Sequence, residues 1–423
     1  MTFEIGDRAT SDVVVRLRTN EGRDHRFYCH SKVLIEKSKY FADRLSDDWP
    51  TCQIIDSCSC VEVHCQELDF NFHVTVLRLF YVQEPHAWNG VRNALGVLQV
   101  AINLGCQQMA TACMEYLEAV PWEEAEEEEI LRTIPSLGSA YESILSRLQP
   151  VDQALLIGVF VPSLRFATSS PPISMQELKS SVQEQLDYML TDDDDAPLFS
   201  LDNELIRSAI KDCVNNLLCR FDSLLQSMLN FSIDSYMKCK THDFFSHLCD
   251  ISWACQILSK MEIMKILVNY WVEKTAEIVK AAENVKPIAA ENLPIESKIV
   301  EVASKVLESI GFANAIVTTP GRIKMVKIWL PFIQKARDSI ERHSVNTDEV
   351  SLAKLDSEVW QGIESALVSI LLTLPSIEQA EILSDWLKSK FVGYPDLSEA
   401  FDVWCYRTKV ARRRLASLAG PSN

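Results

Sequence analysis

The stretch Ser11–Leu45, SDVVVRLRTNEGRDHRFYCHSKVLIEKSKYFADRL, decides the fold of the first part of this chain. It begins with Val13, Val15 and Leu17, which alternate with the residues of the opposite face. This period of two predicts a half-buried strand. A second strand is predicted at 26–29, after turn residues that include a glycine free to take positive φ. Together the two strands form a predicted hairpin.

After this hairpin the apolar period changes from that of a strand to that of a helix. Two short helices are predicted from five apolar residues at helical spacing, namely Val33, Leu34, Tyr40, Phe41 and Leu45. Ser38 lies between them, and its side chain is suited to accept a hydrogen bond at the N-cap of the second helix. A strand hairpin followed directly by a helical hairpin is a supersecondary unit with its own small core.

The order and spacing of four motifs in this stretch resemble the opening of a BTB/POZ domain. The motifs are Ser11-Asp12-Val13, Phe27-Tyr28-Cys29-His30, Val33-Leu34 and Ser38-Lys39-Tyr40-Phe41. The resemblance implies an α+β BTB/POZ domain over residues 1–120. It also implies structural roles for His30, Val33, Leu34 and Phe41, with the histidine bonded locally at the junction of strand and helix.

The elements predicted after the opening unit follow the same family order. Strands are predicted at 52–56 and 61–65, a helix at 69–82, and further helices up to about residue 120, one of them ended by Gly105. The phrase Val120-Pro121-Trp122, followed by glutamate-rich sequence, resembles a plant group of BTB proteins with a long helical C-terminal half.

Beyond Trp122 the periodicity is almost entirely helical. Polar loops are predicted at 168–172 and 191–197, and the segment 284–294, with two prolines, is the predicted subdomain boundary. No fixed repeat period is present, so we expect an irregular helical stack and not a regular solenoid. The prediction is therefore a helical BACK-like region at 121–285 and a C-terminal helical region at 286–423.

Composition limits the class of partner. The 423 residues are 47% hydrophobic and 24% charged, which favours a packed core, and the formal net charge is −18. Nucleic acids and anionic membranes need cations for binding, so we expect neither as a direct partner. The basic run Arg412–Arg414 is too short to change this expectation.

The chain carries no sequence feature of a secreted protein. Its N-terminus has no apolar signal region, and Pro162 is expected to interrupt the apolar run 155–164 before it reaches the length of a membrane span. The 13 cysteines are then expected to be reduced thiols used as small apolar residues. We expect the protein in the cytoplasm and/or nucleus.

No catalytic motif is present: the nucleophile elbow, the HExxH motif, the P-loop and the dinucleotide fingerprint are all missing. We therefore expect no enzyme and no cofactor. Two groups of cysteines and histidines lack the spacing of structural zinc sites and are expected to be packed thiols and ordinary histidines. They are Cys52, Cys58, Cys60 and Cys65 with His64, and Cys239, His242, His247 and Cys249.

The resemblance implies a non-catalytic adaptor that binds a cullin-3 scaffold and presents an unidentified protein substrate to a RING E3 ubiquitin ligase, with possible homo-oligomerisation through the BTB domain. Two alternatives stay open, an oligomerisation scaffold and a transcriptional cofactor, both without ligase association. The residues that the resemblance assigns to partner binding are Asp12, Ser31, Lys32, Asp47, Asp48, Trp49 and Tyr81.

These positions depart from the family pattern in two places. Ser31 stands where dimerising members often carry a basic residue, with Lys32 next. The loop Ser46–Trp49 lacks the apolar-x-Glu motif common in cullin-binding members, although Trp49 offers an apolar group and Asp47 or Asp48 a charge.

Overall fold

A computed structural model of the chain describes residues 4–46, 53–82, 90–191, 198–199, 203–230, 237–284, 293–344, 355–390 and 393–418. They form two compact units, Met1–Pro150 and Val151–Asn423. Each unit has its own hydrophobic core. The first is a mixed α+β unit, and the regular elements in the described residues of the second are all helices, which confirms the predicted fold class.

The first unit contains a four-stranded mixed sheet in the order β2-β1-β4-β3. The strands are β1 Val13–Thr19, β2 Asp24–Cys29, β3 Gln53–Ile55 and β4 Cys58–Cys65. Strand β1 pairs antiparallel with β2 and parallel with β4, while β3 and β4 form an antiparallel hairpin. The predicted first hairpin is confirmed, and Gly22 in its turn has φ +97°.

The prediction that β1 is half-buried is wrong at Val14 and agrees with the structure farther along the strand. Val13, Val14 and Val15 are all at most 1% exposed, whereas Arg16 and Arg18, on the face of Val14, are partly exposed and exposed. On the second face Val14 lies between its register partners Tyr28 on β2 and Cys60 on β4, which are themselves buried. The second face of β1 is therefore buried at its start, between two flanking side chains, and polar at Arg16 and Arg18.

The connection between β3 and β4 is tighter than predicted. Asp56 and Ser57 have φ of +55° and +66°, and Ile55 pairs with Cys58 across them. Two successive positive φ values are the geometry of a two-residue hairpin turn, which matches the right-handed twist of the strands. Strand β4 therefore begins at Cys58 and not at the predicted Val61.

The helices of the first unit pack on the sheet and on one another. They are α1 Ser31–Lys37, α2 Lys39–Arg44, α3 Phe70–Leu79, α4 Val91–Asn103, α5 Gln107–Ala119 and α6 Glu124–Leu137, followed by a 3₁₀ segment Ser139–Leu148. Ser38 accepts the Phe41 N–H as the predicted N-cap, and Gly105 has φ +64° after α4.

The core of the first unit extends past the predicted boundary at residue 120. Ile130, Ile134 and Ile144 are buried in the same cluster as the sheet residues. Arg147 donates to the Val120 carbonyl at 2.6 Å, and its guanidinium lies 4.2 Å from the centre of the Trp122 ring. The segment 121–148 thus packs as part of the first unit.

The second unit contains ten α-helices in its described residues, and a short 3₁₀ helix, Ile173–Met175, precedes the second of them. The α-helices are α7 Gln153–Ala167, α8 Gln176–Met189, α9 Glu204–Leu229, α10 Met237–Lys260, α11 Lys265–Asn284, α12 Leu293–Gly311, α13 Thr319–Ser344, α14 Ser357–Leu372, α15 Ser376–Lys388 and α16 Ser398–Leu418. One core includes residues on both sides of the predicted boundary at 285–286. The packing does not show a division at this point, and the three predicted domains stay a prediction.

A column of aromatic rings lies inside this core. Phe221 stacks between Phe244 and Trp271, and Trp271 stacks on Trp329, with ring centroids 5.3 to 6.4 Å apart. The indole N–H of Trp329 donates to the Thr275 hydroxyl at 3.1 Å, so the one polar atom of this buried ring has a partner. The rings come from α9, α10, α11 and α13, and the column therefore joins four helices.

The expectation that Pro162 interrupts the apolar run is wrong, because Pro162 lies inside α7. A proline removes one helical hydrogen bond. The burial of Phe160, Leu164 and Ala167 on the core outweighs that loss.

Within the described residues, the segment Ser139–Ala167 has the length and hydropathy of a membrane span. It consists of the 3₁₀ segment and α7, which Gln149 to Asp152 separate without helical structure. Neither part alone reaches the roughly 20 residues that a span requires. The sequence expectation missed this range because it considered only 155–164.

The contact between α12 and α14 generates a stability prediction. A Cβ on Gly311 would lie 3.0 Å from the backbone Cα and O of Ala366, whereas a Cβ on Gly158 in α7 would meet nothing within 4 Å. Gly311→Ala should lower the free energy of unfolding by about 1–3 kcal/mol through overpacking. The same change at Gly158 should raise it by about 0.5–1 kcal/mol through helix propensity. Urea unfolding of both variants measures the difference, and equal effects would contradict the close packing.

Candidate functional site

The predicted partner-binding residues Asp12 and Ser31 are in contact. The Ser31 backbone N–H donates to Asp12 Oδ1 at 2.7 Å, and the Ser31 hydroxyl donates to Oδ2. Ser31 is the first residue of α1, so the carboxylate satisfies a free N–H and lies at the positive end of the helix dipole. Where a basic residue would form an ion pair, this chain uses two neutral donors on Ser31.

His30 and Tyr81 form the centre of the site. The backbone N–H of His30 donates to the Tyr81 hydroxyl at 2.9 Å, and the same hydroxyl lies 3.3 Å from His30 Nδ1. On the other side of the ring, Nε2 lies 2.9 Å from the hydroxyl of Thr10, which itself donates to Asp7. Because Thr10 gives its proton to Asp7, its hydroxyl oxygen is the acceptor in the contact with Nε2.

This network explains why His30 is only 3% exposed without being an unsatisfied polar group. The structural role that the resemblance implied for it agrees with these contacts. Leu34 and Phe41 are completely buried in the core of the unit, and Val33 packs against that core while partly exposed. The four structural residues thus form the junction between the sheet and the first two helices.

Tyr81 lies just beyond α3 and is half-buried. Burial raises the pKa of its hydroxyl, so it stays protonated. Its ring meets that of His30 edge to face, with centroids 5.8 Å apart. The hydroxyl is therefore used inside the unit, and only part of the ring remains for a partner. Sequence reasoning did not find this hydrogen bond because 51 positions separate the two residues.

Beside these residues lies an exposed surface. The sequence predicted Lys32 as part of it but not its apolar residues. Lys32 is exposed on α1, and Ile35, one helical turn later, is 44% exposed. Val82, next to Tyr81, is 47% exposed. We name Lys32 and Ile35 the α1 face. The sequence does contain a signal for Ile35. It is an apolar residue that directly follows the buried Leu34 and so lies outside the apolar face of the helix. The predicted contacts Asp47, Asp48 and Trp49 lie outside the described residues and stay predictions.

The cysteine and histidine groups do not form a metal site in the part of the chain that the structure describes. There, no three His, Cys, Asp or Glu side chains converge to hold an ion. Cys58 and Cys65 instead direct their thiols to the backbone carbonyls of Ser11 and Arg18. Cys52 and the side chain of Cys239 lie outside the described residues.

The buried thiols are chemically protected. Burial raises the pKa of the thiols of Cys29, Cys113 and Cys255 to about 12, and that of Cys106 to about 11. The thiolate is the reactive form, so these four side chains act as small apolar residues.

The hydrogen bond of Tyr81 generates a test of the site. Tyr81→Phe leaves the His30 N–H without its acceptor and should lower the free energy of unfolding of the first unit by about 1–3 kcal/mol. Tyr406→Phe, on a ring that is 70% exposed, is the control and should change nothing. Hydrogen exchange of first-unit peptides in urea measures the effect. An unchanged free energy for Tyr81→Phe would contradict the hydrogen bond.

Alkylation tests the assignment of the thiols. In the native protein at pH 8, exposed Cys219 should react with iodoacetamide at least about 100-fold faster than Cys29, Cys106, Cys113 and Cys255. Peptide mass spectrometry measures the rates at each position, and unfolding in urea should make them similar. Fast labelling of any of the four in the native state would contradict their burial.

Comparisons with known proteins agree with this architecture. The family model described as BTB/POZ domain matches residues 6–120, the range of the sheet and α1–α5. A BTB/POZ domain-containing protein of Arabidopsis thaliana is 50% identical over 99% of this chain and 96% of its own length. Two others from Arabidopsis thaliana are 26% and 25% identical, over 96% and 75% of this chain and 74% and 56% of their own lengths.

No solved structure matches the chain. The long relatives align with the helical unit as well as with the sheet, so the two parts occur together in one chain elsewhere. With half of its residues shared over almost its entire length, this chain belongs to the BTB/POZ domain-containing proteins.

Proposed function

We propose that this protein is a substrate-specific adaptor of a cullin-3 RING E3 ubiquitin ligase and promotes ubiquitination of a bound target. BTB/POZ proteins often act as non-catalytic adaptors or scaffolds, and their BTB domains mediate protein–protein interactions and oligomerisation. The observation that carries the proposal is the division of the chain into a BTB unit and a separate helical unit with its own core. One unit is available for the scaffold and the other for a client.

The segment after the BTB domain supports the proposal. Helix α6 and the 3₁₀ segment pack on the BTB core through Ile130, Ile134 and Ile144. Leu131, on the outer side of α6, is 49% exposed. In BTB proteins that bind cullin-3, a helical segment at this position often extends the contact with the cullin. A rigid extension costs less ordering entropy on binding than a free linker would.

The mechanism of such an adaptor needs no reacting side chain in this protein. Holding a client and the ligase at once raises the effective concentration of a client lysine near the ubiquitin-carrying enzyme. The proposed scaffold contacts are the α1 face, Tyr81 and the loop with Asp47, Asp48 and Trp49. We further propose homo-oligomers through the BTB domain, a location in cytoplasm and/or nucleus, and no direct binding of nucleic acid or membrane.

Gel filtration with the N-terminal region of cullin-3 tests the proposal. The full-length protein should co-elute at micromolar concentration. Lys32→Glu combined with Ile35→Asp, and separately Tyr81→Ala, should each weaken binding about 10-fold or more, because central contacts carry most interface energy. Ile54→Asp, at an equally apolar position that is 77% exposed on β3, is the matched control and should bind normally.

Loss of binding in the Tyr81→Ala protein counts only if its unfolding free energy is measured too, since the hydroxyl is bonded to His30. The variant with Lys32→Glu and Ile35→Asp changes exposed residues and keeps the hydrogen bond between His30 and Tyr81. Its loss of cullin binding therefore tests the interface without that effect on folding. No co-elution of the unaltered protein would contradict the cullin proposal. Dimers or larger species without cullin binding would instead support the oligomerisation scaffold.

A further inference from the structure

The second unit contains a cavity, lined in part by charged side chains, that the adaptor proposal does not use. It has a volume of about 590 Å³ and lies between the loop after α7 and helices α8, α9 and α10. Its charged or titratable lining residues are Lys179, Arg220, His242, Asp243, His247 and Asp250. Cavities of this size, with converging polar groups, are typical of binding sites.

Side chains from α8 and α9 hold the loop over the cavity by hydrogen bonds to carbonyls at the end of α7. The carbonyls of Ala167, Thr168 and Ser169 accept hydrogen bonds from Gln183, Arg220 and Lys179 respectively. These carbonyls have no partner within the helix, and cations near a helix C-terminus also interact favourably with its dipole. The loop therefore has a defined position above the cavity.

Lys179 and Arg220 are matched in number by two carboxylates around the cavity, but only Lys179 forms an ion pair there with a described residue. Lys179 lies 2.6 Å from Asp250, and both are nearly fully buried, so they neutralise each other. Arg220 forms no ion pair with a described residue, and its Nε is buried without a hydrogen-bond partner. The remaining carboxylate, on Asp243, is exposed to solvent. The cavity thus offers an anion one guanidinium that has no ion-pair partner among the described residues, together with two histidines.

Ser170 lies at the mouth of this cavity. Its side chain is exposed, and its hydroxyl is 3.4 Å from His247 Nε2. His247 Nδ1 donates to the Asp243 backbone carbonyl at 2.9 Å, which directs Nε2 toward the serine. Pro171 follows Ser170 and disfavours helical backbone at the serine. An exposed serine in an irregular segment before a proline is accessible to a proline-directed protein kinase.

We propose that Ser170 is a phosphorylation site and that His247 and Arg220 bind its phosphate in this cavity. The kinase transfers the γ-phosphoryl group of ATP to the Ser170 oxygen. The bond between that group and ADP breaks, and the serine hydroxyl releases its proton. The phosphate carries about −1.5 to −2 charges and three acceptor oxygens at neutral pH. When both of its ring nitrogens carry a proton, His247 donates from Nε2 to the phosphate. Arg220 donates to the phosphate from Nε, which has no partner in the unphosphorylated protein.

The first experiment establishes the modification. Full-length protein is incubated with a proline-directed kinase and ATP, and intact mass and peptide mass spectrometry follow. One phosphate on Ser170 is expected, and Ser170→Ala should remain unmodified. If Ser170 is not phosphorylated while a serine-proline peptide is phosphorylated in the same tube, the proposal is overturned.

The second experiment tests the phosphate contacts by phosphorus NMR. The second pKa of the phosphoserine should be lower in the folded protein than in the same protein in urea by at least about half a unit, since nearby cations favour the dianion. Full-length variants phosphorylated at Ser170 and carrying His247→Gln or Arg220→Gln should lose most of this difference. Arg165→Gln, which removes an exposed cation on α7, is the control and should keep it.

Arg220→Gln also removes the donor to Thr168 and can weaken the fold, so circular dichroism of each variant accompanies the titration. His247→Gln keeps the donors at the end of α7 and decides the question if Arg220→Gln unfolds. Equal phosphoserine pKa values in the folded and urea-treated protein would overturn the proposal, as would no effect of His247→Gln. A failed cullin experiment leaves this proposal untouched, since it rests on the second unit alone.

Discussion

The carbonyl groups at the ends of helices are the constraint on which much of this structure depends. Each α-helix leaves four carbonyls without an internal partner, and proteins often solve this with a glycine in the left-handed conformation. This chain has only 12 glycines in 423 residues, well below the roughly 7% that is usual. In the described residues, Gly105 serves in this way after α4, where its N–H donates to the Ile102 carbonyl. At other helix ends, long side chains donate instead: Arg147 at α5, Gln183, Arg220 and Lys179 at α7, Lys260 at α8 and Arg407 at α14.

These donors have a structural consequence beyond the helix that each one caps. A glycine cap is local, whereas an arginine or lysine reaches from another element and so connects two parts of the unit. Arg147 joins the segment after residue 120 to the end of α5, which makes that segment part of the BTB unit. The donors from α8 and α9 hold the loop after α7 over the cavity of the second unit. In a chain of net charge −18, cations at negative helix ends are also electrostatically favourable.

Much of the fold was predictable because it depends on local chemistry. The turn at Gly22, the N-cap at Ser38 and the helix end at Gly105 each need a residue type that is visible in the sequence. Errors arose where distant residues decide the outcome. Val14 is buried because Tyr28 and Cys60 flank it across the sheet, and α7 continues through Pro162 because its apolar side packs on a core built from other helices. For the site, the family motif located His30 and Tyr81, but not the hydrogen bond that joins them.

The sequence by itself determined that the chain begins with a BTB/POZ domain, that the rest is helical, and that neither catalytic nor zinc-binding spacing is present. Motif order and periodicity carry that information, since they reflect interactions between near neighbours. Only the tertiary structure decided that Asp12 bonds to Ser31, that the Tyr81 hydroxyl is used internally, and that Ser170 lies beside His247. The serine and histidine of the last pair are 77 residues apart in the sequence. Their approach depends on how several helices pack together, and no local pattern records that packing.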